Sequence, residues 1–213
     1  MEFRIADSFT QSLARLTGEE KKSVKTTAFD LQMNPSNPGM SFHKLDKARD
    51  KNFWSVRVSL DIRMIVHKSD ASLLLCYVDH HDNAYDWAER RKLEVHPNTG
   101  AAQLVEIRET VKEIFIPVYV LEEKVEAPVQ KQKLFSYISD EILLNAGVPV
   151  DWLQDVKDAN EDSLFLLAEH LPSEAAEALL EMATGGKIPE LNQPTKPVSP
   201  FDHPDAQRRF RVM

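Results

Sequence analysis

The amino-acid sequence has 213 residues, of which 28% are charged and 42% hydrophobic, and its formal net charge is −8 at pH 7. This length accommodates one large domain or two small ones with hydrophobic cores of their own. The sequence has no apolar run long enough to cross a membrane and no signal-peptide pattern, and the single cysteine, Cys76, excludes an intrachain disulfide. These observations predict a cytoplasmic protein that has no membrane partner.

The charge is distributed unevenly along the chain. Met1–Val95 contains 15 Lys/Arg and 14 Asp/Glu, whereas His96–Met213 contains 11 Lys/Arg and 20 Asp/Glu. A nearly neutral segment with clustered arginines can bind phosphate, and a strongly acidic one repels it. We therefore expect any direct contact with nucleic acid in the first half of the chain.

Two helices are predicted at the start of the chain. Phe9, Leu13 and Leu16 have helical spacing and indicate a short amphipathic helix. Thr17 and Glu20 have the spacing of a capping box, which predicts that a second helix begins directly after Thr17. Asn34-Pro35-Ser36-Asn37-Pro38-Gly39 ends this helix, because Pro35 disfavours the helical conformation of the residue before it.

Phe42–Leu45 is a candidate for a short strand, and further strands are predicted from Trp54 onward. Trp54–Leu60 alternates apolar and polar residues, Ser59-Leu60-Asp61 is short enough for a hairpin turn, and the alternation resumes from Ile62. Leu73–Val78 is apolar on both faces, which is typical of an interior strand, and it should bury Cys76. The fold class predicted for residues 1–95 is therefore α+β, a helical hairpin on a mainly antiparallel four-stranded sheet.

The second half is predicted to contain a small all-α module between two irregular segments. Leu104, Ile107, Val111 and Ile114 predict a connecting helix over 96–117, and mixed charges around Pro128 predict a linker over 118–133. Apolar residues at helical spacing predict the helical module over 134–186, with Gly147 ending one of its helices. Five prolines predict a loosely ordered tail over 187–213.

Polar and ionisable side chains collect where the strand Leu73–Val78 ends. The predicted catalytic residues, His80, His81, Arg63 and Tyr85, come from this strand end, the helix after it and a neighbouring strand. RNA cleavage by attack of the 2′-hydroxyl needs a base, cations for the phosphorane charge and a proton for the leaving oxygen. Histidine titrates near neutral pH, arginine binds phosphate in bidentate fashion, and tyrosine stacks on a base or donates a proton.

The first half also resembles the RelE/ParE toxin superfamily. The resemblance covers Phe3–Leu93 and has three parts: a helical hairpin ending in Asn-Pro, the run Asp61-Ile62-Arg63-Met64-Ile65-Val66 after a tryptophan–arginine strand, and Val78-Asp79-His80-His81-Asp82 followed by Tyr85. It implies a RelE/ParE-like fold with Arg63 on phosphate and His81 and Tyr85 at the C-terminal catalytic positions. Members include ribosome-dependent mRNA endonucleases and gyrase poisons, so the fold alone does not decide the activity.

The second half resembles part of a group of bacterial UvrD/Rep-type superfamily 1 DNA helicases. The matching stretches are Leu171-Pro172-Ser173-Glu174-Ala175-Ala176-Glu177-Ala178-Leu179-Leu180 and Phe201-Asp202-His203-Pro204-Asp205-Ala206-Gln207-Arg208-Arg209-Phe210-Arg211. This resemblance implies that the chain is either the N-terminal portion of such a helicase, with the motor after it, or a stand-alone relative. ATPase motifs are missing from the sequence, because Gly186-Lys187 lacks the other residues of a P-loop.

Two functions follow from these patterns. The first is a nucleic-acid- or protein-docking accessory module at the N-terminus of a helicase, whose partner is the motor. The alternative is a toxin–antitoxin type mRNA endonuclease that acts on RNA or the ribosome, with an attached helical domain that neutralises or dimerises it. The residues expected to bind nucleic acid are Arg57, Arg63, Arg90 and Arg91.

Simpler structural roles stay open for the same side chains. Arg63 pairs equally well with Asp61 or Asp79, and Arg90 and Arg91 also suit a solvated helix face. Adjacent histidines on a strand point in opposite directions, so His80 and His81 do not predict a metal site, and no cofactor is expected.

Overall fold

The structure is a computed structural model that describes residues 2–35, 41–111, 132–186 and 199–212. Its contacts divide the chain into a first unit, Met1–Leu93 with Ser199–Met213, and a second unit, Glu94–Val198. Most of the predicted linker over 118–133, the turn after Pro35 and the first twelve residues of the predicted tail lie outside the described residues.

The described residues form eight strands and eight α-helices. The strands are β1 (Glu2–Ala6), β2 (Phe42–Lys44), β3 (Phe53–Arg57), β4 (Ile62–Lys68), β5 (Ser72–His80), β6 (Arg91–Val95), β7 (Ala102–Glu106) and β8 (Phe210–Val212). The helices are α1 (Asp7–Arg15), α2 (Gly18–Met33), α3 (His81–Glu89), α4 (Asp140–Asn145), α5 (Leu153–Asp158), α6 (Glu161–Ala168), α7 (Ser173–Ala183) and α8 (Pro204–Arg209). Among these residues no helix has the length and apolar character needed to cross a membrane.

The first unit is an α+β fold, as predicted, around one sheet with the strand order β2-β3-β4-β5-β1-β8. Only β1 and β5 run parallel, and every other neighbouring pair is antiparallel. The sheet has six strands where the sequence predicted four. The additional strands are β1 and β8, which are short and far apart in the sequence, so neither gives a local hairpin signal.

Helices α1 and α2 cover one face of this sheet. The capping box that begins α2 is present, because the Glu20 amide donates to Thr17 Oγ1 over 3.4 Å and the Thr17 amide donates to Glu20 Oε2 over 2.8 Å. The core between the helices and the sheet consists of buried side chains at helical spacing and at alternate strand positions. They include Phe9, Val24, Ala28, Leu31, Val56, Met64, Val66, Leu73, Leu75 and Val78.

Helix α3 covers the opposite face of the sheet. The Trp87 ring on α3 stacks on the Tyr77 ring of β5, with centroids 4.7 Å apart and an angle of 5° between the planes. Strand β5 lies between β4 and β1 and buries Cys76 completely, which confirms the prediction of an interior strand. Helices on both faces explain why this strand is apolar on both sides.

The C-terminal segment, residues 199–212, belongs to the first unit. Strand β8 pairs with β1, and Phe210 and Ala206 are buried. The Phe201 ring covers the guanidinium of Arg4, whose Cζ lies 4.8 Å from the ring centroid, and Arg4 is only 3% exposed. The predicted loosely ordered tail is therefore wrong for these residues, because their apolar side chains give them a packed position on the edge of the sheet.

The second unit starts at Glu94, near the end of β6, and contains β7 and four helices; β6 and β7 pair as a two-stranded sheet. The connecting helix predicted over 96–117 is wrong, since 102–106 form β7 and Arg108–Thr110 only a 3₁₀ turn. Leu104, Ile107 and Val111 match helical spacing, but residues 102–106 form strand β7, which is almost completely buried. Burial of both faces removes the alternation by which a strand is recognised.

Trp152 lies at the centre of the second unit's core. It is fully buried, its Nε1–H donates to the Glu106 carbonyl oxygen over 2.9 Å, and its ring stacks on His170 with centroids 5.5 Å apart. Gly147 follows α4 with a φ of +88°, the left-handed conformation expected of the glycine that ends a helix. A Cβ atom there would lie 3.0 Å from Glu174 Cγ, so the close packing against α7 also favours glycine.

Candidate functional site

An open cleft of about 460 Å³ lies in the first unit between α3 and the residues that follow β2. One wall is formed by residues 44–48 and the other by side chains at helical spacing on α3. Its lining residues are Lys44, Leu45, Asp46, Lys47, Ala48, His81, Asp82, Tyr85, Asp86 and Glu89. The cleft contains two of the predicted catalytic residues, His81 and Tyr85.

His81 and Tyr85 form a ring pair on the first turn of α3. Their spacing of four residues places them on the same helix face, and the ring centroids are 4.2 Å apart with an angle of 40° between the planes. The Tyr85 hydroxyl shares a hydrogen bond of 3.0 Å with the Ser55 hydroxyl, which fixes the tyrosine to β3. An imidazole that solvent reaches is therefore held beside an anchored aromatic ring.

The His81 imidazole is oriented by the next residue. Its Nδ1 lies 2.8 Å from Asp82 Oδ1, and the histidine side chain is 42% exposed. Donation of the Nδ1 proton to the carboxylate leaves Nε2 as the acceptor of the neutral ring. In this arrangement the ring has the acceptor nitrogen that a general base requires.

Arg57 and Arg63 lie on the same sheet face as α3 but are not among the lining residues of the cleft. They are cross-strand partners in β3 and β4, and Arg57 shares the face of Ser55, which contacts Tyr85. Both guanidinium groups donate to the carbonyl oxygen of Ser59, Arg57 over 3.0 Å and Arg63 over 3.1 Å. The structure therefore brings the two arginines together at the β3–β4 turn, as a group separate from His81 and Tyr85.

His80 contacts residues outside the cleft. It is the cross-strand partner of Ile62, on the face that α1 and α2 cover, and its Nδ1 is 2.5 Å from Asp61 Oδ2. Glu20 Oε1, at the start of α2, is 3.8 Å from His80 Nε2. The hydrogen bond to Asp61 raises the pKa of His80, and the negative charges of Asp61 and Glu20 act in the same direction. The structure thus separates the two adjacent histidines.

Arg90 and Arg91 directly follow α3, Arg90 at an exposed position and Arg91 at a partly buried one. Arg90 is the C-cap of the helix and donates from Nε to the Asp86 carbonyl oxygen over 3.2 Å. The Arg91 guanidinium lies 5.1 Å from the centroid of the Trp87 ring. Both arginines therefore have local structural contacts, and neither lines the cleft.

The side chains that line the cleft have more negative than positive charges, unlike the phosphate-binding site that the sequence predicted. Two lysines, Lys44 and Lys47, line it together with the carboxylates of Asp46, Asp82, Asp86 and Glu89. The Lys44 ammonium lies 5.8 Å from the centroid of the Trp54 ring, so it is only partly available to the cleft. Sequence reasoning missed the wall at 44–48, because its charged residues have the composition of a solvated turn.

A buried group of ionisable side chains lies under α3. The His67 imidazole is 3.4 Å from the Asp50 carboxylate, and burial opposes ionisation of Asp50, but hydrogen bonds from His67 and from the Leu93 and Asn52 amides lower its pKa. Burial raises the pKa of the Cys76 thiol, which donates to the Leu74 carbonyl oxygen over 3.4 Å. This environment stabilises the neutral thiol and gives Cys76 a structural role.

No cluster of three or more His, Cys, Asp and Glu side chains in the described part of the chain has an arrangement that could hold a metal ion. His80, Asp61 and Glu20 instead form hydrogen-bonded and ionic contacts with one another.

Comparisons with known proteins return distant structural similarities. No family model and no curated protein matches the chain. Among solved structures, a RelB-RelE antitoxin-toxin complex from Methanococcus jannaschii matches with 19% identity and a TM-score of 0.34, over 39% of this chain and 95% of that one. The toxin-antitoxin complex RelBE2 from Mycobacterium tuberculosis matches with 21% identity and a TM-score of 0.31, over 38% of this chain and 96% of that one.

Proposed function

We propose that the first unit is a RelE-like module of the toxin–antitoxin type that binds single-stranded RNA at the α3 cleft and cleaves it. The observation that carries this proposal is the orientation of His81, with Nδ1 bonded to Asp82 and the ring beside Tyr85 in an open cleft. The order of motifs in the sequence supports the same class of protein. A polypeptide that covers the cleft, in the role of an antitoxin, is the regulatory partner that this function requires.

The proposed reaction is an intramolecular transesterification at a phosphate of the RNA strand. His81 Nε2 removes the proton of the 2′-hydroxyl, the 2′-oxygen forms a bond to phosphorus, and the bond to the 5′-oxygen breaks. The departing 5′-oxygen takes a proton from water, and the hydroxide formed takes the proton held by His81, which leaves a 2′,3′-cyclic phosphate and a neutral imidazole. Tyr85 stacks on the adjacent base, Lys47 binds the phosphate at the cleft, and Arg57 and Arg63 bind a phosphate further along the strand.

The test is cleavage of a single-stranded RNA by the full chain. His81→Ala should reduce the cleavage rate by about 10²–10⁴-fold, the contribution of a positioned general base. His80→Ala is the matched control, because it removes a neighbouring imidazole that lies outside the cleft, and it should leave the rate unchanged. An RNA with a 2′-deoxy substitution at the cleaved nucleotide should resist cleavage. Equal rates for wild type and His81→Ala would contradict the proposal.

A second candidate is docking of a polypeptide at the same cleft, and the cleft's charge favours it. Four carboxylates against two lysines repel a polyanion and attract lysine or arginine side chains of a partner. If docking is the function of the cleft, the wild-type chain should cleave no RNA and should bind a basic polypeptide instead. Charge reversal by Asp86→Lys should abolish that binding, whereas it should strengthen binding of RNA.

The predicted position of this chain ahead of a helicase motor stays a prediction. It is part of the docking candidate, since the motor would then supply the basic polypeptide. Binding of the chain to the separately produced motor, and its loss in Asp86→Lys, would support this arrangement.

A further inference from the structure

A groove of about 410 Å³ lies on the second unit, away from the residues used in the proposed function. Gln132, Lys133, Leu134, Tyr137 and Glu161 line it. The Leu134 amide donates to the Ala159 carbonyl oxygen over 2.9 Å, which fixes the segment before α4 next to the start of α6. Asn160 caps α6 in a capping box with Ser163, so the second wall of the groove is held as well.

Large apolar side chains are exposed in this region. Tyr137 is 80% exposed and Phe165 is 68% exposed. Phe165 is four residues after Glu161 on α6, so it extends the same helix face beyond the groove, and exposed Glu169 continues that face. Exposed aromatic side chains on a fixed scaffold are typical of the central contacts of a protein interface.

The charge of the second unit decides what kind of partner fits. Its described residues contain fourteen Asp/Glu against three Lys/Arg, namely Arg108, Lys133 and Lys157. All three cations are paired inside the unit: Arg108 Nη2 is 2.6 Å from Asp155 Oδ1, Lys133 Nζ is 2.5 Å from Asp158 Oδ1, and Lys157 contacts Asp140. Each of these cations therefore has a carboxylate partner within the unit, and the described part of the unit has an excess of negative charge.

We infer that the groove and the α6 face together bind a basic polypeptide segment, in which an apolar side chain fills the groove beside Leu134 and Tyr137 while flanking lysines or arginines approach Glu161 and Glu169. Burial of Phe165 and Tyr137 in the complex supplies the free energy of binding. The carboxylates of Glu161 and Glu169 favour a partner with positive charge over one with negative charge. Nucleic acid fits this surface poorly, because the fourteen carboxylates in the described part of the unit outnumber its three cations and repel phosphates.

The inference is tested with the full chain and a fluorescent probe peptide in which Lys and Arg alternate with Leu and Trp. Two further probes have the same length: one replaces Lys and Arg by Glu, and the other replaces Leu and Trp by Ser. Only the first should bind, because the site requires both the positive charge and the apolar side chain. Its affinity should fall as salt is raised.

Variants locate the binding on this surface. Phe165→Ala and Glu161→Lys should each weaken binding of the basic apolar peptide by roughly tenfold, the effect of removing a central interface contact. Val150→Ala is the control within the second unit, since Val150 is 53% exposed and does not line the groove. Asp70→Asn is the control in the first unit, since Asp70 is exposed and does not line the α3 cleft, and both controls should bind as the wild type does.

Three results would overturn the inference. The first is equal affinity of Phe165→Ala and Val150→Ala for the basic apolar peptide. The second is loss of binding in the cleft variant Asp86→Lys but not in Glu161→Lys, which would assign the peptide to the first unit and leave the proposed docking function of that unit intact. The third is equal binding of the acidic probe. All these substitutions are at exposed positions, so each variant should keep the wild-type far-ultraviolet circular dichroism spectrum.

Discussion

The C-terminal segment 199–212 gives a quantitative prediction about what holds it on the sheet. Phe210 is 2% exposed and packs edge-on against Phe201, with ring centroids 5.4 Å apart. The polar contacts of the segment include the exposed Arg211–Asp7 ion pair of 3.5 Å, a kind of pair that contributes about 0–1 kcal/mol, and the approach of buried Arg4 to Asp202 over 3.8 Å. Truncation of a buried phenylalanine to alanine costs about 3–5 kcal/mol, and the lower value suits the edge of a sheet, where neighbours can relax.

We therefore expect Phe210→Ala to shift the equilibrium between the docked and released segment by about 3 kcal/mol, a factor of more than one hundred. Hydrogen exchange of the β1 amides measures this directly, because β8 covers that edge. Exchange should speed up by about that factor at β1, while the amides of β4 should change little. Val212→Ala is the matched control, since Val212 lies on the same strand but is 61% exposed, and it should shift the equilibrium by no more than about 0.5 kcal/mol.

The reasoning is refuted if the β1 amides exchange at the same rate in Phe210→Ala and Val212→Ala. That outcome would mean that the backbone pairing of β8, and not apolar burial, holds the segment. If instead the amides of every strand in the first unit exchange faster, the segment is required for the stability of the whole unit and the local model of release is wrong.

Three further predictions concern the first unit. The hydrogen bond with Asp61 raises the pKa of His80 above 6.5, so the stabilising effect of this pair is complete below about pH 6.5 and is lost as the pH rises through the pKa of the folded protein. The difference in urea midpoint between the wild type and His80→Gln should therefore shrink between pH 6 and pH 9. A constant difference would mean that the pair has no effect on stability. Thr17→Ala removes the capping box of α2 and should lower the free energy of unfolding by about 1 kcal/mol in urea titrations, whereas Ser23→Ala, on the exposed side of the helix, should have a smaller effect. Cys76 should react with a thiol reagent only after denaturation, and fast reaction of the native protein would contradict its burial.

The local part of the fold could be predicted because its signals are short in sequence. The Thr17 capping box, the alternation around the β3–β4 hairpin and the apolar run of β5 each depend on residues that are close along the chain. The pairing of β1 with β5 and of β8 with β1 could not be predicted in this way, because it joins segments about 70 and 200 residues apart. The alternation of Arg209, Phe210 and Arg211 was a usable signal for β8 that the prolines before it concealed.

In the candidate site, too, contacts between residues close in sequence could be predicted, and contacts that depend on the tertiary structure could not. Helical spacing alone placed His81 beside Tyr85, and the structure has this pair. His80 was expected with them, but the backbone leaves β5 for α3 between the two histidines, and the side chain of His80 turns toward Asp61. Strand alternation puts Arg57 on the sheet face of Ser55, whereas the contacts of Arg57 and Arg63 with the Ser59 carbonyl oxygen depend on the conformation of the turn.

The insertion of the second unit between α3 and α8 has a consequence for synthesis of the protein. Strands β1 to β5 leave the ribosome early, whereas β8 follows about one hundred residues after Leu93. At a synthesis rate of about 5–20 residues per second, the outer edge of β1 waits on the order of ten seconds for its partner. During that time its backbone N–H and C=O groups are unpaired and can pair with a strand of another chain. A product truncated within the second unit keeps this open edge permanently, so nonsense variants there should accumulate in aggregates even though the catalytic candidates His81 and Tyr85 are already made.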